Sequence, residues 1–215
     1  TDAVKSGDQV LASQFINEVA ALNAGMPTSQ MSIGHAMEMN PSYEKVILME
    51  IARAQMTRQI FPDAPLKYMC NTKYKTGDIF TSHAIDTIFN LIGSLTSQGV
   101  ILLGMPTEAV HTPFLADRTL SIRDANYIVG GSAGMAKEFG YRTDGFIAQY
   151  AEKVLDDAVK LLERIHRIGI YKAIEKGIFA DVKRTMDGGK GGNGVFAIDR
   201  SHYVNPFFKL MGSRI

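Results

Sequence analysis

Apolar residues recur along this chain in two alternating modes, short continuous runs and longer stretches with a three- to four-residue step. The short runs are Met31-Ser32-Ile33-Gly34-His35-Ala36-Met37-Glu38, Pro65-Leu66-Lys67-Tyr68-Met69 and Val100-Ile101-Leu102-Leu103-Gly104-Met105. Each ends in polar residues capable of chemistry and is followed by a helix-period segment, which predicts three β-α units. A further helix is predicted ahead of them, over about residues 8–24. There Val10, Leu11, Phe15, Val19 and Leu22 share a face, and Gly25 with Pro27 supplies the stop.

Between the strands, Asn40-Pro41 predicts a helix start, with Asn as N-cap and Pro in the first turn, running to about Gln59. Thr81 or Ser82 is the expected cap of the next helix, which carries Ile85, Ile88, Phe89, Ile92 and Leu95. The third run, Val-Ile-Leu-Leu, has the composition of a strand buried on both faces. From Pro106 onward the pattern is helical. Ser121 is the expected cap of a segment reaching about Phe139, and the longest apolar stripe runs over 144–168, from Phe146 to Ile168, closed by Gly169. A glycine-rich run, Asp187 to Gly194, follows.

Three parallel strands alone would leave two open edges, whereas a complete (β/α)8 barrel takes eight strands and about 250 residues. The expected fold is therefore α/β: the C-terminal portion of a (β/α)8 TIM-type barrel, about three β-α units over residues 1–118. A helical extension over 119–215, with the Gly-rich loop 187–194, completes it.

Composition narrows the function classes. The 215 residues are 46% hydrophobic and 21% charged, with a net charge of +1 and scattered basic residues. That is a globular composition without the basic footprint of a nucleic-acid binder. No apolar run reaches the roughly 18–20 residues of a membrane span, and Thr1-Asp2-Ala3-Val4-Lys5 has no signal-peptide character. The single cysteine, Cys70, excludes an intrachain disulfide and suits a reducing compartment. The expectation is a cytoplasmic protein with neither a nucleic-acid nor a membrane partner.

Candidate chemistry sits at the strand ends, where parallel α/β folds build their sites. His35 and Glu38 follow the first strand. His35 could donate a proton or hydrogen bond, or be satisfied by backbone groups. Lys67 lies inside a strand between apolar neighbours. Burying an unpaired charge costs several kcal/mol, so it needs an anionic ligand or an ion pair within the sheet. Lys73 and Lys75 read as solvated loop residues. Glu108 and His111, three apart, would share a helix face. This one Glu-x-x-His copy is insufficient for a di-iron site, and no zinc motif is present, so no metal is expected. The run 187–194 could cradle an anion but lacks the P-loop pattern, and a surface loop is the more common outcome for such a run.

Four separated runs together resemble a known family: Gln30 to Ala36, Pro62 to Met69, Leu103 to Pro113, and Gly177 to Arg184 continuing through Asp187-Gly188-Gly189-Lys190-Gly191. They are similar to the large (alpha) subunit of lysine 5,6-aminomutase and, by relation, to the large component of D-ornithine 4,5-aminomutase. The resemblance implies an isomerase that shifts an amino group between neighbouring carbons of a small amino acid, using pyridoxal 5′-phosphate and adenosylcobalamin. It implies an alpha-subunit barrel holding substrate and pyridoxal phosphate, and a small beta subunit bringing the cobalamin and the lysine that binds the pyridoxal. Lys67 falls on the Pro-x-Lys-Tyr-Met motif, whose lysine is associated with the substrate carboxylate. Glu38, Tyr68 and His111 are further candidate substrate contacts, and His35 and Glu108 candidate catalytic groups. Cofactor-binding residues are not identified, and the Asp-x-His-x-x-Gly cobalamin motif is missing. The chain thus reads as a C-terminal portion, inactive without the remainder of the alpha subunit and the beta subunit. Two alternatives are a complete small α/β enzyme using His35 and Glu108 as acid and base, and a non-catalytic assembly subunit whose long helix binds partners.

Overall fold

The computed structural model describes residues 6–36, 40–75 and 78–179. Glu38, the Gly-rich run 187–194 and the motif residues beyond 179 lie outside the described residues. The described residues fall into two compact units, one within 6–161 and the other within 162–179.

In the first unit, helix α1 (Gly7–Asn23) precedes strand β1 (Gly34–Ala36), helix α2 (Val46–Ile60), strand β2 (Lys67–Met69), helix α3 (Ile79–Leu95), strand β3 (Val100–Leu102) and helix α4 (Leu115–Gly131). Helix α5 (Phe146–Ile168) runs across the division between the units, and α6 (Ile170–Glu175) follows in the second. Gly169, at φ 82°, separates these two helices in a conformation that favours glycine.

The three strands are parallel, in the order β1-β2-β3. Residues in register alternate between faces, so His35, Tyr68 and Ile101 form one row. That row faces the helices. Tyr68 packs with Ala54 of α2 and with Ile85, Phe89 and Ile92 of α3, and Ile101 borders the same cluster. A second cluster joins Leu11 of α1, Ile33, Met56 and Phe61 of the α2 end, Leu66, and Val154 with Ala158 of α5. Sequential strand order with the connecting helices on one face is consistent with part of a barrel wall; a doubly wound sheet covers both faces.

The opposite face carries the rows Gly34–Lys67–Val100 and Ala36–Met69–Leu102. Val100 is 39% and Leu102 43% exposed, so the described residues leave this face open, against the expectation of a strand covered on both sides. The outer edge of β1 is partly satisfied. The Gly34 carbonyl, directed away from β2, accepts a 2.9 Å hydrogen bond from Gln14 Nε2 of α1.

Helix starts differ from the sequence expectation in three places, each for a local reason. Asn40 caps a turn: its Oδ1 accepts from the Ser42 N–H at 2.9 Å, and Lys45 at φ 60° then interrupts the chain before α2 begins. Asp78, upstream of Thr81 and Ser82, caps α3 by accepting the Phe80 and Thr81 N–H groups at 3.0 and 3.1 Å. Ser121 lies inside α4, its hydroxyl donating to the Asp117 carbonyl. The start of α4 is instead held by Asp117, whose carboxylate accepts the Phe114 N–H at 2.8 Å and the Thr107 hydroxyl at 2.8 Å.

Candidate active site at the strand ends

Two buried polar networks flank the sheet. The first lies behind it, on the helix side. Glu50 of α2 accepts from His35 Nε2 at 2.7 Å and from the Tyr68 hydroxyl at 2.9 Å on the same oxygen, while its other oxygen lies 3.6 Å from Arg53 Nη1. All four side chains are buried, and the Tyr68 ring stacks on Phe89 at 4.5 Å. Burial alone would raise the Glu50 pKa. The charges of His35 and Arg53, with the two hydrogen bonds, outweigh it and hold the group below its ordinary value. Burial, then the neighbouring Glu50 carboxylate, pushes the Tyr68 phenol well above its usual range, so it stays a neutral donor. His35 and Tyr68 therefore point away from the open face where a ligand could enter.

The second network sits at the C-terminal ends of β2 and β3. Lys75, expected to be solvated, is wholly buried. Its Nζ pairs with Asp86 Oδ1 of α3 and, at 2.9 Å, with Glu108 Oε1 in the turn after β3. Thr72 donates to the same Glu108 oxygen at 3.3 Å, and the Cys70 thiol donates to Asp86 Oδ1 at 3.1 Å. Burial disfavours the Lys75 charge, but Cys70, Asp86 and Glu108 overcome it and keep the ammonium above its usual pKa. Burial likewise pushes the Asp86 carboxyl and the Cys70 thiol up. The cluster exists because residue 104 is glycine. A Cβ there would fall far inside 3.0 Å of both Lys75 Nζ and Asp86 Oδ1, and 2.7 Å from Cys70 Sγ.

Glu108 and His111 lie on a turn and not on a helix: the Glu108 N–H bonds the Met105 carbonyl at 3.2 Å and the His111 N–H the Thr107 carbonyl at 3.1 Å. Pro106 allows that tight reversal. Glu108 is part-exposed at the strand mouth, while His111 is exposed, bonded through Nδ1 to the Thr112 carbonyl and set against Phe114.

Lys67 is half-buried on the open face, its stem lying along Gly34, where an added Cβ would come 3.4 Å from Lys67 Cε. Among the described residues it has no ion-pair partner. Of the six residues in the two open rows it is the only ionisable one. The pairing within the sheet that would have made it purely structural is not made there.

With that geometry in view, comparison with known proteins is decisive about kinship. A family model described as the D-lysine 5,6-aminomutase TIM-barrel domain of the alpha subunit matches residues 1–210. The chain belongs to this family. It is 50% identical over 210 residues to the lysine 5,6-aminomutase alpha subunits of Acetoanaerobium sticklandii and of Fusobacterium nucleatum subsp. nucleatum. Those matches cover 98% of this chain and 40% of each relative. The aminomutase barrel domain is consistent with the one-sided, sequential sheet described above. No helix among the described residues is long and apolar enough to cross a membrane.

Sequence reasoning missed Glu50, Arg53, Lys75 and Asp86. A signal for the first pair was present: Glu50 and Arg53 stand three apart, among the small apolar residues of the buried face of α2. For Lys75 no local pattern exists, since the loop around it, Asn71-Thr72-Lys73-Tyr74-Lys75, reads as a polar surface segment.

Proposed function

We propose that this chain forms the C-terminal part of the barrel of a lysine 5,6-aminomutase alpha subunit, an isomerase acting with the rest of that subunit and a small beta subunit. The observation that carries the reading is Lys67, an ammonium on the open face of a barrel wall, on the family's Pro-x-Lys-Tyr-Met motif, with no counter-ion among the described residues. A charge so placed is available to an anionic ligand, and a substrate amino acid brings its carboxylate. Both curated relatives carry lysine in their names, which favours lysine over ornithine as substrate.

Within this reading each residue has a distinct task. Lys67 holds the substrate carboxylate. Glu108, fixed through one oxygen, offers a hydrogen-bond acceptor at the mouth, and His111 stands exposed on the same turn. His35 and Tyr68 act from behind, through Glu50, by bracing β1 and β2 against α2; neither touches substrate. Glu38, directly after β1, remains a candidate substrate contact outside the described residues.

The reading includes pyridoxal 5′-phosphate and adenosylcobalamin, which when bound supply the radical and the electron delocalisation that amino migration needs. The described residues do not form a seat for either. Lys75 is taken by two carboxylates and Lys67 stands alone in its rows. In this reading the work of the described residues is to bind and orient substrate.

The test is Lys67→Ala in the reconstituted alpha–beta enzyme. A charge-assisted hydrogen bond is worth about 1.5–3 kcal/mol, so KM for lysine should rise roughly 10- to 100-fold with cofactor loading intact. An unchanged KM in a fully loaded enzyme would remove Lys67 from the site.

A further inference from the structure

The buried Lys75 cluster is not explained by fold stability alone. Its three partners come from three different segments: Asp86 from α3, Cys70 from the end of β2 and Glu108 from the turn after β3. Lys75 grips Glu108 through Oε1 only, and Thr72 donates to that same oxygen. Glu108 Oε2 accepts nothing from the described residues, and the side chain is 21% exposed while Lys75 and Asp86 are 0% and 2% exposed. One end of the network is therefore locked in the interior and the other is presented at the strand mouth. Gly104 leaves the room that this arrangement requires. The charged and titratable groups around Glu108 are Lys75 from the loop after β2, Asp86 from α3 and Cys70, with Asp117 of α4 holding the adjacent Thr107.

We propose that Lys75, assisted by Thr72, is a positioning residue for Glu108, fixing Oε1 so that Oε2 is held toward the ligand at the C-terminal ends of β2 and β3. The proposal rests on the reading of this chain as part of an aminomutase barrel. Lys75 touches no ligand itself, and its effect on turnover is transmitted through Glu108. Misplacing such a group by about 1 Å costs up to roughly 100-fold in rate.

The experiment is a double-mutant cycle in the complete alpha–beta enzyme with lysine as substrate, using Lys75→Met, Glu108→Gln and the pair. Each single change should lower kcat by about 10- to 100-fold, with KM for lysine within twofold of wild type because Lys67 is untouched. The pair should fall within about threefold of the worse single variant, the non-additivity of groups acting as a unit. Factors that multiply, or an unchanged kcat for Lys75→Met, would overturn the positioning role. If Lys75→Met does not accumulate as folded protein, the cycle with Thr72→Val, an exposed side chain, decides. A loss of about threefold that vanishes in the Glu108→Gln background supports the proposal, and an unchanged kcat or a persisting loss overturns it. A wild-type complex that leaves lysine unconverted would instead refute the underlying functional reading.

Discussion

Replacing Gly104 by Ala adds one methyl group at the most crowded of the described glycine positions. The backbone there is not in the left-handed region, so the cost is steric alone. The new Cβ would fall far inside the 3.0 Å limit to Lys75 Nζ and Asp86 Oδ1, and it would sit 2.7 Å from Cys70 Sγ. These are not the loose ends of surface side chains. Lys75 is 0% and Asp86 2% exposed, and each is held by the other. To make room, the ammonium must leave Asp86, Glu108 or both, and breaking a buried pair costs about 3–5 kcal/mol. For a protein of this size 1 kcal/mol corresponds to roughly 2–4 °C in Tm, so Gly104→Ala should melt about 10 °C below wild type. Gly130 provides the matched control. The same added methyl lies within a helix and meets nothing within 4 Å, where Gly to Ala is worth about 0.5–1 kcal/mol of stabilisation. Thermal unfolding of the purified protein followed by circular dichroism measures both. Equal melting temperatures for the two variants would refute the packing that places Lys75 against residue 104.

Other consequences follow from the networks around the sheet. Glu50, held below its ordinary pKa of 4.5, contributes stability that is complete above that value and is lost as pH falls through the lower folded value. Glu50→Gln should therefore flatten the decline of stability below about pH 4.5, read by urea unfolding across an acid pH series; an unchanged acid limb would exclude Glu50 as its source. Asp124 of α4 accepts from Thr87 and Asn90 of α3, both at 2.7 Å. Asp124→Ala should cost about 2–3 kcal/mol and speed amide hydrogen exchange in α4 ahead of α3. Equal protection of the two helices would show that other contacts join them.

The positions of the three strands, the helices between them and the long helix ending at Gly169 were all legible in the hydrophobic pattern. Burial demands apolar residues at fixed periods, and the demand leaves a trace in the chain. The place of Lys67 within a strand was legible from its apolar neighbours. Helix starts were read less well. Asn40, Ser121 and Thr81 have the right chemistry for caps, but which hydroxyl or carboxylate meets the free N–H groups depends on where the preceding loop delivers the chain. The tertiary structure alone decided what the ionisable residues do. His35 turned toward Glu50 because residue parity in β1 puts it in the row facing the helices. Lys75 became buried because α3 and the turn after β3 bring two carboxylates to it from 11 and 33 residues away. Period and propensity are properties of neighbouring residues, whereas the buried Lys75 charge is balanced through space by carboxylates that its own loop does not record.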